Sequence, residues 1–329
     1  MRQSKTKHLL AAMLITGFAT MANAQKKTTD LLIKLAPGVN TATVLSGGLL
    51  TRSSVIEPLG DQWVRVQSSE RRSDLLETLK NDPGVEYAQP NYPIRLLEDY
   101  RPADPLRRVA MARYAAKLQA KARPAPPKTD NPAIPDAPAS LKPGLDPDLN
   151  KQWGMLDIGA AEAWKVTLGS PDMIVAVLDT GVDYTHEDLL PNLWRNTKEI
   201  PNNGIDDDGN GYVDDMIGWD FVSNDNKPYD LAVDQFQLLT GGGNPGHGTH
   251  CAGNVAAKGG NSLGIAGVAP DVKIMSLRFI SDKGGGTTAY AIKSIRYAVD
   301  NGAKIMSNSW GSEGEDPAAG AENKALRDA

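Results

Sequence analysis

Three near-continuous apolar runs, Met173 to Leu178, Val272 to Phe279 and Lys304 to Trp310, constrain the fold more than any other feature. Strands that bury one face alternate apolar and polar residues, whereas runs like these mark parallel strands covered on both faces. Between the last two, Thr287 to Asn301 sets Ile292, Ile295 and Val299 on one helical face and stops at Gly302. That is a βαβ crossover, right-handed by the usual chirality rule. From Asp148 onward the pattern strand, turn, helix repeats, which predicts a doubly wound α/β domain with its ligands beyond the carboxyl ends of the strands.

Asp179 stands at such a carboxyl end, immediately before Thr180-Gly181. Far along the chain, Gly246-His247-Gly248-Thr249-His250-Cys251-Ala252-Gly253 follows a glycine-rich loop, Gly241 to Gly246, and sets His247 at the mouth of a helix. The small residues Ala252, Gly253, Val255, Ala256 and Ala257 suit a helix packed closely on its neighbours. A buried carboxylate beside an imidazole fixes its tautomer and stabilises the imidazolium. Taken alone, Asp179 could instead cap a helix. His247 and His250, three apart, could bind zinc, but Gly248 replaces the glutamate of a His-Glu-x-x-His site. Cys251, the single cysteine, permits no internal disulfide and reads as a small apolar packing residue beneath His247 or as a reactive thiol.

The acidic stretch Asn203 to Asp215 carries Asp206, Asp208, Asn210, Gly211, Tyr212 and Asp214 at positions one, three, five, six, seven and nine of a calcium loop. Position twelve is Ile217 rather than glutamate, and Asp215 is the available substitute. So many oxygen ligands in a short span repel one another unless a cation binds, so structural calcium is expected; the alternative is a solvated acidic loop.

The amino terminus has the form of an export signal. Arg2, Lys5 and Lys7 precede an apolar run from Leu9 to Ala22, and Ala22-Asn23-Ala24 supplies a small-x-small cleavage pattern. Cleavage after Ala24, secretion and the lack of a membrane span are the expectations. Residues 25–97 alternate as strands at Asp30 to Leu35, Gln62 to Gln67 and Val85 to Gln89, with helical spacing at Leu75, Leu76 and Leu79, and form a small α+β unit. Residues 98–147 turn to alanine, proline and basic residues and read as a linker, although Leu106 to Lys121 could form a basic helix. A formal charge of −5 without a dominant basic cluster argues against a nucleic-acid partner.

Val177-Leu178-Asp179-Thr180-Gly181-Val182-Asp183 and His247-Gly248-Thr249-His250-Cys251-Ala252-Gly253 closely resemble the aspartate and histidine motifs of the subtilisin-like serine endopeptidases. The resemblance extends to Asn308-Ser309-Trp310-Gly311, similar to the strand lining the first substrate subsite, and to Gly284-Gly285-Gly286, similar to the peptide-pairing edge. It runs from Trp153 to Ala329, and Lys26 to Leu97 resembles the family's inhibitory propeptide, a ferredoxin-like domain that occupies the cleft and assists folding. The resemblance implies that Asp179 orients His247, that His247 serves as general base and then general acid, and that Ser309, Trp310, Gly311, Gly284, Gly285 and Gly286 contact substrate. It also makes Asp188 a calcium-ligand position.

The serine of that triad has no counterpart in the family's Gly-Thr-Ser-Met-Ala setting. Ser312 only loosely resembles a nucleophile elbow, and Asn308 lies on an earlier strand than the oxyanion asparagine would. The catalytic domain, residues 148–329, is therefore read as incomplete, and a fragment is favoured over a short working form because the latter would leave one edge of a buried parallel sheet uncovered. The leading expectation is a secreted, calcium-stabilised, monomeric serine endopeptidase with its own propeptide as inhibitor and proteins or peptides as substrates. The alternatives are an inactive peptide-binding or inhibitory module and a zinc hydrolase.

Overall fold

The structure, a computed structural model, describes residues 28–40, 53–96, 146–229, 244, 246–311 and 323–329. The export signal, the linker apart from residues 146 and 147, most of the Gly241 to Gly246 loop and Ser312 lie outside the described residues.

The first unit comprises β1 (Thr29–Leu35), β2 (Ser53–Gly60), β3 (Trp63–Ser68), α1 (Arg72–Lys80) and β4 (Val85–Pro90). Its four strands pair antiparallel in the order β2-β3-β1-β4. Along β1 the odd positions Leu31, Ile33 and Leu35 pack with Val64, Val66 and, from α1, Leu75 and Leu79. The even position Leu32 is also fully buried, so this sheet is covered on both faces. β2, Ser-Ser-Val-Ile-Glu-Pro-Leu-Gly, has no apolar–polar alternation to mark it as a strand. β5 (Pro93–Leu96) leaves this sheet for another one.

The second unit begins with two short helices, α2 (Trp153–Asp157) and α3 (Ala160–Ala163), and leads into β6 (Ile174–Asp179). β7 (Gly218–Asp220), α4 (His247–Ala256), β8 (Lys273–Arg278), β9 (Gly285–Thr287), α5 (Thr288–Asp300), β10 (Ile305–Asn308), β11 (Trp310–Gly311) and α6 (Lys324–Asp328) follow. The parallel sheet runs β10-β6-β8-β7. β6 explains why its sequence is apolar throughout. Val175 and Val177 pack with Ala252 and Ala256 of α4, while Ala176 and Leu178 share a core with Ala291, Tyr297 and Ala298 of α5. With helices on both faces, neither side of the strand meets water.

Two expectations need correction. The run Lys304 to Trp310 is not one strand buried on both faces, because it breaks at Ser309 and β11 joins a different sheet. β10 is an edge strand of the described sheet, and Ile305 is 53% exposed. On α5, Val299 of the expected face is 57% exposed, while Ile292 is buried and Ile295 packs against the core under the parallel sheet. The face toward the parallel sheet carries Ala291, Tyr297 and Ala298, while Ala289 and Ile292 pack with Leu32, Leu59 and Trp63 of the first unit.

The first unit thus seats on α5 and α6. Full burial of an aliphatic or aromatic side chain contributes about 1.5–3 kcal/mol, and Leu32, Trp63 and Ile292 are each at most 2% exposed. The flanking ion pairs Lys293–Glu57 and Arg296–Asp61 are partly solvated and contribute roughly 0–1 kcal/mol each. Apolar burial therefore dominates the contact. The segment Gln89 to Tyr92 also satisfies amides at both helix starts, groups that lack intrahelical partners. Tyr92 O accepts from Thr288 N at 3.0 Å, Asn91 Oδ1 from Ala289 N at 3.0 Å, and Gln89 Oε1 from Ala325 N at 3.1 Å.

Candidate active site

β6 ends in Asp179, 1% exposed, and α4 begins at His247, 8% exposed. His247 Nδ1 lies 2.8 Å from Asp179 Oδ1 and 2.9 Å from Oδ2. Thr180 N also donates to Asp179 Oδ1 at 2.7 Å, and Thr180 Oγ1 accepts from Gly248 N at 3.0 Å, so the strand end and the helix start are tied together. Two glycines make this approach possible. A Cβ on Gly248 would stand 2.3 Å from Gly181 O, and Gly181, at φ +94°, would bring a Cβ 2.0 Å from Pro228 O.

The hydrogen bond that Asp179 accepts from Nδ1 raises the pKa of His247 well above the ordinary histidine range, helped by Cys251 and opposed by burial. The positive end of α4 opposes it as well, and the buried carboxylate outweighs both. In its neutral form a histidine held this way has one ring nitrogen fixed by the carboxylate and the other available to accept a proton, which the imidazolium then returns. Cys251 Sγ sits 3.8 Å from Nδ1 and 3.5 Å from Ser309 Oγ, behind the pair. Among the described residues no serine hydroxyl hydrogen-bonds His247.

His250 does not join His247. It is exposed and lies against Asn254 Nδ2 at 3.4 Å, while His247 is buried on Asp179, so the two imidazoles form no zinc pair. Asp179, His247 and Cys251 do bring three ligand atoms within 4.8 Å of one another, but two of them are already committed to the aspartate–histidine bond.

Beyond the strand ends lies a second, three-stranded sheet, β11-β5-β9. β5 is its centre. Pro93, Ile94 and Arg95 pair antiparallel with Thr287, Gly286 and Gly285, and Arg95 and Leu96 pair with Gly311 and Trp310. The Trp310 indole donates to Leu178 O at 2.9 Å, and Phe279 N and Ile280 N donate to Asp179 O, which fixes this sheet beside the aspartate. Of the residues expected to contact substrate, Gly285, Gly286, Trp310 and Gly311 flank β5. Gly284, at φ +80°, shapes the turn before β9, and Ser309 turns its hydroxyl to Cys251. Thr287 was not anticipated, because nothing in its composition marks a pairing position.

The acidic loop gathers differently from the spacing expected. Ligand oxygens of Glu199, Asp206 and Asp208 lie within 4.8 Å of one another. Asp214 instead accepts from Asn203 N and Gly204 N, at 3.1 and 3.0 Å. Asp215, fully buried, accepts from Asn196, Asn210 and Tyr297, so it cannot stand in for the missing glutamate. Burial pushes its carboxyl up to about 6. Asn210 is spent on Asp215 and on Tyr212 N, and the Tyr212 ring packs edge-on against Trp219, Phe221 and Tyr297. Glu199 was missed because it precedes the loop and only the fold brings it back. Three carboxylates form a hard, all-oxygen donor set that suits calcium.

Asp188 belongs elsewhere. It accepts from Asn261 Nδ2 at 2.7 Å and Ile265 N at 3.1 Å, and burial pushes its carboxyl up. Asp146 accepts from Gly260 N and Asn261 N in the same neighbourhood. A buried pair, Arg278–Asp220, also went unread; it sits in register with Asp179 across β6, β8 and β7.

Residues 170–328 match the model of the subtilase family. Thermitase of Thermoactinomyces vulgaris is 38% identical over 162 residues, covering 49% of this chain and 45% of that protein. A thermophilic serine proteinase of Bacillus sp. (strain AK1) is 37% identical over 160 residues, 49% of this chain and 31% of the relative. The chain thus spans less than half the length of these curated relatives. Among solved structures, fervidolysin from Fervidobacterium pennivorans, a keratinolytic enzyme related to subtilisin, superposes with a TM-score of 0.53 at 22% identity, covering 87% of this chain and 36% of that one. No helix among the described residues is long and apolar enough to cross a membrane.

Proposed function

Since residues 170–328 belong to the subtilase family, we propose that this chain serves a secreted serine endopeptidase made as a proenzyme. Asp179 orients His247; His247 takes the proton from a serine hydroxyl supplied from outside the described residues and returns it to the leaving amine. Residues 25–97 act as the inhibitory propeptide, with β5 lying in the substrate cleft. Proteins or peptides are the substrates, and residues 1–24 direct export. Glu199, Asp206 and Asp208 would hold a calcium ion, which when bound cancels the repulsion among their carboxylates.

The observation that carries the reading is the conjunction of two arrangements at one strand end. A buried aspartate fixes one nitrogen of a histidine, and a strand of the first unit fills a groove between two short strands anchored to the same place. A peptide bound as such a strand is held by its backbone, as a protease that accepts varied sequences requires. The natural secreted product should react with a serine-directed phosphonate and hydrolyse peptides, and Asp179→Ala or His247→Ala should abolish nearly all of that hydrolysis. Wild-type hydrolysis by either variant rejects the assignment; absence of labelling in the natural product favours the inactive peptide-binding reading.

A further inference from the structure

Three ionisable side chains line up at the carboxyl ends of neighbouring strands. Asp179 of β6, Arg278 of β8 and Asp220 of β7 are register partners, with Arg278 in the middle. Partners on parallel strands share a face of the sheet, as Val175 and Ile274 do in one core and Leu178 and Leu277 in the other. All three charged residues are buried, at 1%, 6% and 1% exposure in that order. One cation thus stands between two carboxylates, on strands that lie about 4.8 Å to either side of it.

The cation is turned to one side. Arg278 Nη1 donates to Asp220 Oδ2 and lies 3.4 Å from Ser223 Oγ. Asp220 is fixed to receive it, because its Oδ1 accepts from Val222 N at 2.8 Å and from Ser223 N at 3.1 Å. On the other side Asp179 has both oxygens against His247 Nδ1, at 2.8 and 2.9 Å. A guanidinium stays charged at every working pH and suits a carboxylate through two parallel bonds. Deprived of Asp220, it would be an uncompensated buried charge, which is strongly unfavourable, and Asp179 is the other carboxylate in its register.

Resting on the reading of Asp179 and His247 as the working pair, we propose that Asp220 is a positioning residue that engages Arg278, keeps the guanidinium off Asp179 and so leaves that carboxylate to His247. The role of the Arg278–Asp220 pair is then exclusion more than stability, since a buried ion pair often contributes no more than apolar residues of the same volume.

Asp220→Asn keeps an Oδ1 for the two turn amides and removes only the charge that faces Arg278. NMR of His247 in the full chain then reports its titration midpoint; Cys251, which also faces Nδ1, is the same in every variant. The midpoint should fall by at least about one pH unit in Asp220→Asn, as it does when a histidine loses an opposite charge. It should not fall in Arg278→Gln, and it should return to the wild-type value in the double variant. A residue needed only to fold the turn gives no such rescue. Protection of β6 and β8 amides against hydrogen exchange reports that the fold persists, and Asp220→Ser, whose hydroxyl still accepts from the turn, serves if Asp220→Asn does not fold. An unmoved midpoint without Asp220, a fall in Arg278→Gln, or a fall that the double variant does not reverse overturns the proposal. In the natural secreted product Asp220→Asn should lower kcat at least about tenfold with KM little changed. The rescue pattern in this chain without serine labelling of the natural product would reject the protease reading alone. Labelling together with wild-type kcat in Asp220→Asn would reject the present inference alone.

Discussion

His247 Nδ1 lies 2.8 Å from Asp179 Oδ1 across 68 residues of sequence, and the bond is sheltered from water. The folded state therefore binds the imidazole proton more tightly than the unfolded chain, whose histidine titrates near 6.5. The stabilisation is complete below that pH and is lost as the pH rises through the raised value. Urea midpoints should fall with a steeper pH slope above about 6.5 in the wild type than in His247→Gln. Proton NMR of His247 should show it titrating nearer the ordinary range in Asp179→Asn; an unmoved titration would contradict the assignment of the shift to that carboxylate.

Gly248 should not tolerate a methyl group. Its Cβ position falls 2.3 Å from Gly181 O and 3.0 Å from Asp179 Cβ, both parts of the site rather than flexible ends. Gly248→Ala is expected to cost at least about 1–3 kcal/mol by overpacking. Gly246→Ala, whose nearest neighbour among the described residues would be Asn244 Oδ1 at 3.8 Å, should stay within about 0.5 kcal/mol. Chemical denaturation of the two variants side by side checks the contrast.

The contact between the first unit and α5 should depend on Trp63 more than on charge. Trp63 is 2% exposed among Leu32, Leu59, Ala289, Ile292 and Ala325. Trp63→Ala should destabilise by about 3–5 kcal/mol and raise amide exchange in β5 and β9. Arg296→Ala removes a pair whose Asp61 partner is 63% exposed, and should cost no more than about 1 kcal/mol. The reverse order would mean that the interface is held electrostatically.

Calcium titrated calorimetrically into the full chain should bind at the acidic loop and raise the thermal midpoint. Glu199→Gln and Asp206→Asn should each weaken that binding by at least about tenfold, since charge count tunes such sites. Asp207→Asn, whose carboxylate is not among the three that converge, should change it little. Undiminished binding in Glu199→Gln would return the ligand set to the spacing read from the loop alone.

What could be read in advance depended on the distance over which each signal acts. β6 and β8 announce themselves because both faces of each strand are apolar, and Asp179 because it closes such a run. The glycines around His247 are legible for the same local reason. Ile292 misled because its neighbour is not the parallel sheet but Leu32 and Trp63, far earlier in the chain. Glu199 was invisible as a loop ligand because a turn of the backbone, not sequence spacing, returns it to Asp206 and Asp208. β5 could not be assigned to its sheet because both its partners, β9 and β11, lie about two hundred residues onward.

The amides at the starts of α5 and α6 find acceptors in Asn91 and Gln89, across sequence separations of 198 and 236 residues. Loops of that size must close before these particular amides are satisfied, and closure of distant contacts is what slows folding. Within α5 the Thr287 hydroxyl caps Tyr290 N locally, whereas Thr288 N and Ala289 N depend on Tyr92 and Asn91. Closing these two long loops bears on folding speed more than on final stability.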